Sequence, residues 1–236
     1  MEELSKVDAS ASVMVSVNNS LVCYGLEAYG SEEQKQKYLT KLATGEQIGA
    51  FCLSEPEAGS DATSQKTTAI DMGDHYIING TKNWITNGGR ADVYLVMAQT
   101  HKEKGHRGIN AFIVEKGMEG FSAPETHNKW SLRASTTGEL VFDNVKVPKE
   151  NLLPGKNGLG APLGCLDSAR YGIAWGAVGA AMDCYDSALR YSQERIQFRK
   201  PIGQFQLTLL KLNRYRLVMA KVKRNFVGPL EIGCLL

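Results

Sequence analysis

The first part of the chain has hydrophobic and polar positions that favour helix. Residues 31–34, Ser-Glu-Glu-Gln, have the form of a capping box ahead of helix-forming residues, and Gly45 marks a helix end. Upstream, apolar residues recur at mixed spacing, which we interpret as a buried helix, although β-branched side chains also suit strands. These apolar residues are Val13, Val15, Val17, Leu21 and Val22. The pattern predicts helices over residues 1–46.

Between Gln47 and Val147 the hydrophobic period changes to two, which is typical of strands. Two apolar runs, 93–98 and 109–114, flank a polar loop and predict a hairpin. Shorter strands are separated by turns that contain Gly or Asn, including a turn at Gly80. These strands are predicted at 76–80, 81–86, 139–142 and 145–147. Regular short strands of this kind predict a small β-barrel or two packed sheets.

From Gly160 to about Arg199 the pattern returns to helix and is rich in Gly and Ala. Gly172, Gly176 and Gly179 are spaced to let another helix approach closely, and we favour tight packing over a ligand site for them. The predicted fold class is therefore α+β and multidomain: a helical segment, a central β-barrel-like domain and a partial C-terminal helical bundle. We place the segments at 1–46, 47–155, 156–212 and 213–236, the last being an atypical tail.

Composition excludes several classes of protein. The 236 residues are 43% hydrophobic and 22% charged with a net charge of +2, which is ordinary for a globular protein and gives no attraction to nucleic acid. The four histidines and five cysteines show no metal-ligand spacing and no C-x-x-C pair, so we expect no metal and reduced thiols. Neither a signal-peptide pattern nor a membrane-length apolar run is present. We expect a cytoplasmic protein without membrane insertion.

Two segments have the features of a cofactor pocket. In residues 52–61 a strand end, a proline-directed turn and small residues present hydroxyls and backbone N–H groups, which can hold an anion or the polar edge of a ring. In residues 84–89 a large aromatic face lies beside a hydroxyl and ends in a turn. Together they fit a flat, polar-edged, phosphate-bearing cofactor. Two ordinary hairpin ends with a core Trp explain the same residues equally well.

The two segments, in this order, resemble those of the acyl-CoA dehydrogenases, which are FAD-dependent flavoproteins. The motifs are nearest to the glutaryl-CoA and short-chain branches. The resemblance implies FAD as cofactor and acyl-CoA as substrate, with a carboxylate taking the α-proton while a β-hydride passes to the flavin. The residues that would contact the flavin here are Phe51, Leu53, Ser54, Gly59, Ser60, Trp84, Ile85 and Thr86. The Ser54 hydroxyl would bond the reactive edge of the ring, and Ser60 would also face the substrate.

Further along the chain, the resemblance implies that Arg195, Phe198 and Gln206 reach the FAD of an adjacent subunit. Arg195 would neutralise pyrophosphate charge, which a planar guanidinium does well. A surface salt bridge from Arg195 to Asp186 or Glu194 is the alternative.

A third matching stretch contains Asp167 and Arg170. By resemblance Arg170 would contact the CoA portion of the substrate and Asp167 would hold the geometry. An ordinary ion pair between residues three apart on one helix face accounts for the two residues equally well.

The chain departs from the family at the general base. The family's catalytic Glu usually lies in a Tyr-Glu-Gly-Thr run, which is absent, and a minority of members carry it where this chain has Ala169. We therefore predict no catalytic residue in this chain. The resemblance extends over about residues 3–212, and the basic stretch from Asn213, which includes Gly228-Pro229, suggests a shifted reading frame. A nucleic-acid role for that stretch is disfavoured because it has few aromatic residues and no matching fold.

The substrate expectation depends on Ser12. Enzymes of the glutaryl-CoA branch carry an Arg at the matching position, and a Ser cannot offer a carboxylate bidentate charge. We therefore expect a short, straight-chain acyl-CoA such as butyryl-CoA. The family also implies a homotetramer and an electron-transfer flavoprotein as partner. Two alternatives remain: a non-catalytic flavin- or acyl-CoA-binding or assembly module, which the missing base favours, and an oxidase of the same fold.

Overall fold

The computed structural model describes residues 1–155 and 158–227. The predictions that concern Gly228-Pro229 and Cys234 lie outside the described residues. Helices precede and follow a region of strands, which confirms the predicted order of α, β and α segments. The helices are α1 (Glu2–Val7), α2 (Ala9–Val17), α3 (Tyr24–Tyr29), α4 (Glu32–Gln34), α5 (Thr40–Thr44), α6 (Gly160–Glu194) and α7 (Gln206–Val227).

The predicted start and stop signals act as expected in the first helices. The Ser31 hydroxyl accepts the Gln34 N–H at 3.2 Å, and the Gln34 side chain accepts the Ser31 N–H at 3.0 Å, which completes the capping box. Helix α5 ends at Gly45, whose φ of +78° is a left-handed conformation that glycine adopts without steric cost. Two π-helical stretches, Asn18–Cys23 and Lys35–Leu39, join the α-helical pieces.

Seven strands form one sheet in the order β1-β4-β2-β3-β7-β6, with β5 paired to β4. Strand β1 runs parallel to β4, and β4 and β5 form the predicted antiparallel hairpin. Strand β2 pairs along β3 but meets β4 only at Thr68 and Gln99. The strands are β1 (Gly49–Cys52), β2 (Thr68–Asp71), β3 (His75–Thr86), β4 (Val93–Gln99), β5 (Ile109–Glu115), β6 (Phe121–Ser122) and β7 (Thr137–Pro148).

Strand β4 is buried on both faces, and its alternating side chains enter two different cores. The odd-numbered residues from Val93 to Met97 pack in a cluster with Leu26 of α3. The even-numbered residues from Tyr94 to Ala98 belong to a second cluster built from the other strands. The sheet is therefore covered on both sides at β4.

Two of the predicted strand breaks are wrong. Strand β3 continues through Gly80, where φ is +148°, and a Cβ at this position would lie 2.5 Å from the Thr67 hydroxyl. Glycine here permits a close approach of the chain rather than a reversal. Residues 139–147 likewise belong to the single strand β7, which passes through Asn144 at φ +52° because Asn tolerates that conformation.

Helix α6 ends at Glu194 rather than near Arg199. It is followed by a small hairpin of β8 (Ile196–Gln197) and β9 (Lys200–Pro201) and then by α7. In the described residues, short 3₁₀ segments lie at Ala62–Ser64, Lys149–Asn151 and Ile202–Gln204, and the 3₁₀ stretch Lys102–Gly108 is broken by a non-helical Gly105.

The chain forms two compact units, and the division between them falls inside α6. One unit is Val13–Gly172, and the other combines Met1–Ser12 with the chain from Ile173 onward. In the latter, a Cβ on Gly179 would collide with the Glu2 carbonyl oxygen and one on Gly176 would lie 3.0 Å from the Ser5 hydroxyl. The predicted tight helix packing is confirmed at these two glycines.

Candidate functional site

The segment after β1 makes the predicted proline-directed turn. The amides of Glu55 and Ala58 each donate to the other residue's carbonyl oxygen, at 3.0 and 3.1 Å. Pro56 occupies the position of the turn for which its fixed φ is suited. The turn therefore presents Ser54 at its entry.

A buried lysine holds this turn from inside the sheet. Lys82 on β3 is 0% exposed. Its ammonium donates to the Leu53 carbonyl oxygen at 3.1 Å, to the Glu55 carboxylate at 2.8 Å and to the Gln65 side-chain oxygen at 3.1 Å. Since a buried ammonium needs acceptors for its donors, all three contacts are energetically important. Ser54 thus lies between two residues that are bound to the same ammonium.

Glu55 is the negative partner in this cluster. Its carboxylate also accepts the backbone N–H groups of Lys66 at 2.5 Å and Thr67 at 3.1 Å. Burial acts to raise the Glu55 pKa, but the Lys82 ammonium and the hydrogen bonds from Thr67 and Lys66 outweigh burial and hold the pKa below its usual range. The carboxylate is therefore ionised at neutral pH and balances the buried lysine.

The ladder between β3 and β7 slips by one residue immediately after Lys82. The register is Lys82 with Leu140, then Ile85 with Gly138, so two residues of β3 oppose one of β7. This arrangement is a β-bulge, which changes the direction of the side chains that it contains. Trp84 lies in the bulge.

The bulge joins the Ser54 turn directly. The Asn83 N–H donates to the Ser54 carbonyl oxygen at 2.9 Å, and the Asn83 side chain accepts the Trp84 N–H at 2.8 Å. Trp84 has a φ of +59°, which is rare for a bulky residue, and it is 67% exposed. The alternative of a core Trp is therefore wrong, because the bulge presents the indole to solvent.

In the described part of the chain, unsatisfied buried polar groups lie where β3 ends, at Asn87 and Thr136. Thr86 is half-buried at the end of β3, and the buried Asn87 follows it. The Asn87 amide nitrogen donates to the Gly49 carbonyl oxygen at 3.0 Å. Within the described residues, the Asn87 side-chain oxygen and the Thr136 hydroxyl have no hydrogen-bond partner. The exposed indole, two residues before the half-buried Thr86, suits a flat ring with a polar edge.

The remaining predicted flavin residues of this unit differ in exposure. Phe51 and Leu53 are buried in the core cluster shared with the first helices, and Ile85 is buried in the second cluster. Gly59 and Ser60 are exposed, and nothing lies within 4 Å of a Cβ placed on Gly59. Three of the predicted flavin residues are thus buried supports, and Gly59 and Ser60 form an open surface.

Asp167 and Arg170 form the ion pair that their spacing allows, on the exposed face of α6. Ala169, in the same turn of helix, is buried in the first core cluster. The pairing alternative is therefore confirmed for Asp167 and Arg170, and Ala169 has no group that could transfer a proton.

The other compact unit contains Phe198, which lies in an unusual turn. The loop between β8 and β9 is Phe198-Arg199, with φ values of +49° and +65°. Positive φ at both central residues is the pattern of a type I′ hairpin turn, which normally takes Asn and Gly. Phe198 is 87% exposed, and its ring meets the Phe205 ring edge-on at 6.1 Å between centroids.

Arg195 and Gln206 lie in the same unit, at the end of α6 and at the start of α7, and both are exposed. Asp186 pairs with Lys6 at 3.2 Å, so the salt bridge from Arg195 to Asp186 is wrong. Across residues 1–155 and 158–227, no ion pair involves Arg195 or Glu194. The Arg195 guanidinium therefore has no acidic side chain holding it within that part of the chain.

The sequence-based reasoning missed Lys82, Glu55 and Asn83. A signal for Lys82 was present, because it shares strand parity with the inward-facing Tyr76 and Ile78. A charged residue at an inward position requires a buried partner. The bulge gives no comparable signal, since it depends on pairing with a strand more than fifty residues away.

The described part of the chain has no cluster of three or more His, Cys, Asp or Glu that could bind a metal ion. None of its helices is both long enough and apolar enough to cross a membrane. The cysteines at 23, 52, 165 and 184 are free thiols, and burial raises the pKa of Cys165 to about 11.

Three family models match the chain in succession. They are the acyl-CoA dehydrogenase N-terminal domain over residues 1–46, the middle domain over 50–145 and the C-terminal domain over 156–224. The last match extends past residue 212, where the resemblance was expected to end.

Curated relatives and solved structures agree with these models. The short-chain specific acyl-CoA dehydrogenase of Clostridium acetobutylicum is 48% identical over 208 residues, covering 87% of this chain and 55% of that protein. Butyryl-CoA dehydrogenase from Megasphaera elsdenii has a TM-score of 0.91 at 42% identity, covering 95% of this chain and 59% of that one. A glutaryl-CoA dehydrogenase from Mycobacterium smegmatis in complex with FADH2 has a TM-score of 0.85 at 47% identity, covering 89% and 53%.

The chain thus spans between half and two thirds of the length of these relatives. The matches include each of the three successive domain models, and the helical segment, curled sheet and later helices follow the same order. The chain belongs to the acyl-CoA dehydrogenase family.

Proposed function

We propose that the chain forms the FAD- and acyl-CoA-binding site for α,β-dehydrogenation of a short-chain acyl-CoA thioester, a reaction for which it does not itself supply the base. The observation that carries the proposal is the junction of the Ser54 turn with the Trp84 bulge, made by the 2.9 Å bond from the Asn83 N–H to the Ser54 carbonyl oxygen. It brings a hydroxyl-bearing turn beside an exposed indole, which is the surface that a flat, polar-edged ring requires. The FADH2 bound to the Mycobacterium smegmatis relative supports this choice of ligand.

FAD, when bound, would supply the electron acceptor for the oxidation. Within this chain, the Ser54 and Thr86 hydroxyls would bond the polar edge of the ring and the Trp84 indole would cover it. Gly59 and Ser60 are exposed and small, so their backbone could approach a phosphate-bearing group closely. Phe51, Leu53 and Ile85 would support these residues from the core.

The second group of flavin residues would act between subunits. Arg195 would neutralise pyrophosphate charge, and its freedom from acidic partners in the described residues supports that role. Phe198 and Gln206 follow Arg195 in the chain and are also exposed. We therefore propose that the functional form is a homo-oligomer, a tetramer by analogy with the family, in which these three residues reach a neighbouring subunit's FAD.

The substrate would be held by Ser60, Asp167 and Arg170. Arg170 is exposed, and its pairing with Asp167 fixes the guanidinium while leaving donors for a CoA phosphate. Ser12 is buried and donates to the Met1 carbonyl oxygen at 3.3 Å, so it offers no charge for a second carboxylate. This supports a short, straight acyl chain such as butyryl over glutaryl, as does the short-chain specific relative.

Removal of the α-proton requires a base in hydrogen-bond reach of the substrate. Ala169 provides none, and we propose that residues 1–236 do not contain the catalytic base. The buried Ala169 favours one second candidate function, a non-catalytic flavin- or acyl-CoA-binding or assembly module of the same fold.

For the dehydrogenase function we also propose an electron-transfer flavoprotein as the electron acceptor and a cytoplasmic location. The proposed domain segments are 1–46, 47–155, 156–212 and 213–236.

The test is the visible absorption spectrum of the purified chain with added FAD, recorded before and after anaerobic butyryl-CoA. We expect a bound flavin that stays oxidised, which supports a flavin site without its base. Bleaching of the flavin would contradict the missing base, because a proton acceptor must then be present. Absence of bound flavin would contradict the proposed cofactor.

A further inference from the structure

We propose that Lys82 is a positioning residue that sets the Ser54 turn against the Trp84 bulge and so determines how tightly the chain binds FAD. The inference rests on the proposed function. It concerns a residue that does not itself contact the ligand, because its side chain is completely buried.

The geometry connects both halves of the flavin surface to one side chain. The Lys82 ammonium binds the residues on either side of Ser54: the Leu53 carbonyl oxygen at 3.1 Å and the Glu55 carboxylate at 2.8 Å. The next residue after Lys82 is Asn83, whose N–H binds the Ser54 carbonyl oxygen at 2.9 Å. Any movement of Lys82 along the strand therefore changes the distance between the turn and the bulge.

An ion pair that only stabilises the fold and one that positions the flavin surface should differ in how stability and FAD affinity respond when both charges are removed. A buried pair can often be exchanged for apolar residues of similar volume with little loss of stability, because the desolvation of two charges offsets their attraction. The contact from Lys82 to the Leu53 backbone is separate from the pair, and no apolar side chain can replace it. Stability and FAD affinity should therefore respond differently when both charges are removed.

The experiment compares four forms of the full 236-residue chain. They are the parent, Lys82→Met, the double variant Lys82→Met with Glu55→Gln, and the control Lys37→Met. Lys37 pairs with Glu115 at 2.8 Å in the same unit, but it contacts neither the turn nor the bulge. Each form is measured for FAD dissociation constant by flavin fluorescence, for its urea midpoint, and for hydrogen exchange of the Asn83 amide.

We expect the double variant to regain part of the urea midpoint that Lys82→Met loses, because no unpaired carboxylate stays buried, and yet to bind FAD about tenfold more weakly than the parent. Its Asn83 amide should exchange faster, because the Ser54 carbonyl is no longer held in place. The control should match the parent in affinity and in Asn83 exchange. This combination supports positioning, since a purely structural pair would change stability and affinity together.

A double variant with parental FAD affinity and parental Asn83 exchange would overturn the proposal while leaving the proposed function intact. Faster Asn83 exchange with unchanged affinity would also overturn it. If the parent binds no FAD, the proposed function fails, and the inferred effect on FAD affinity fails with it. Asn83 exchange then still decides whether Lys82 holds the turn.

Discussion

The β3 bulge and the β8–β9 turn both present an exposed aromatic side chain from a backbone with positive φ, but they are held in different ways. Trp84 lies in a twelve-residue strand, two residues after Lys82, which forms a buried ion pair with Glu55. Phe198 lies between two strands of two residues each. The Phe198 ring contacts the Phe205 ring edge-on, and the Lys200 ammonium lies 4.5 Å from the centroid of the Phe205 ring.

The difference shows two ways to maintain an unfavourable backbone conformation. At the bulge, a buried ion pair and a long ladder fix the position of one residue with positive φ. At the turn, two strained residues depend on their immediate neighbours. The first region should therefore be sensitive to charge and burial, and the second to the choice of turn residues.

The largest expected effect comes from removing one member of the buried pair. Lys82→Met should lower the free energy of unfolding by about 3–5 kcal/mol, because it leaves the Glu55 carboxylate buried and unpaired. Urea denaturation measures this loss. The matched Lys37→Met should cost less than about 1 kcal/mol, since that pair is partly exposed to solvent. Equal losses in the two variants would contradict the special position of Lys82.

Strain at the hairpin turn should give the next largest effect, of opposite sign. Replacing Phe198→Asn together with Arg199→Gly should raise the free energy of unfolding by about 1–2 kcal/mol, since these residues accept positive φ more readily. Thermal unfolding measures the gain. Phe198→Ala is the control, because it removes the ring without relieving the backbone, and it should not stabilise the chain.

Relief of strain at the bulge should be smaller. Trp84→Gly should be more stable than Trp84→Ala by about 1 kcal/mol, because only glycine removes the penalty of a left-handed conformation. Both variants lose the indole and should bind FAD more weakly than the parent. An alanine variant as stable as the glycine variant would mean that the core imposes no strain at this position.

The pH dependence of stability tests the contribution of the buried Lys82–Glu55 pair next to the bulge. The folded-state pKa of Glu55 is below its ordinary value, so the unfolded chain takes up the proton first as pH falls. The pair's contribution is complete above the ordinary glutamate pKa of about 4.3 and is lost as pH falls toward the lower folded value. The urea midpoint of the parent should exceed that of Lys82→Met with Glu55→Gln by more at pH 7 than at pH 4. A gap that widens on acidification would contradict this.

Sequence reasoning succeeded where the signals are local. The capping box at Ser31, the stop at Gly45 and the hairpin from Val93 each depend on residues close together in the chain, and all are confirmed. The helix was extended wrongly past Glu194 because Phe198 and Arg199 lack the Gly or Asn that usually marks a tight turn.

The candidate site was less predictable because its support is non-local. The sequence motifs identified Ser54 and Trp84, but the bond between their segments passes through the Asn83 amide, which carries no side-chain signal. Trp84 was equally compatible with a core position, and only the register slip against β7 turns it outward.

The parallel pairing of β1 with β4 has a consequence for biosynthesis. Residues Gly49–Cys52 pair with Val93–Val96, and both the Ser54 turn and the Trp84 bulge lie in the segment between these two strands. Closing a loop of this length is entropically unfavourable until the ladder that rewards it exists. On the ribosome, this surface therefore cannot acquire its final geometry until β4 and then β7, against which the bulge forms, have emerged from the exit tunnel.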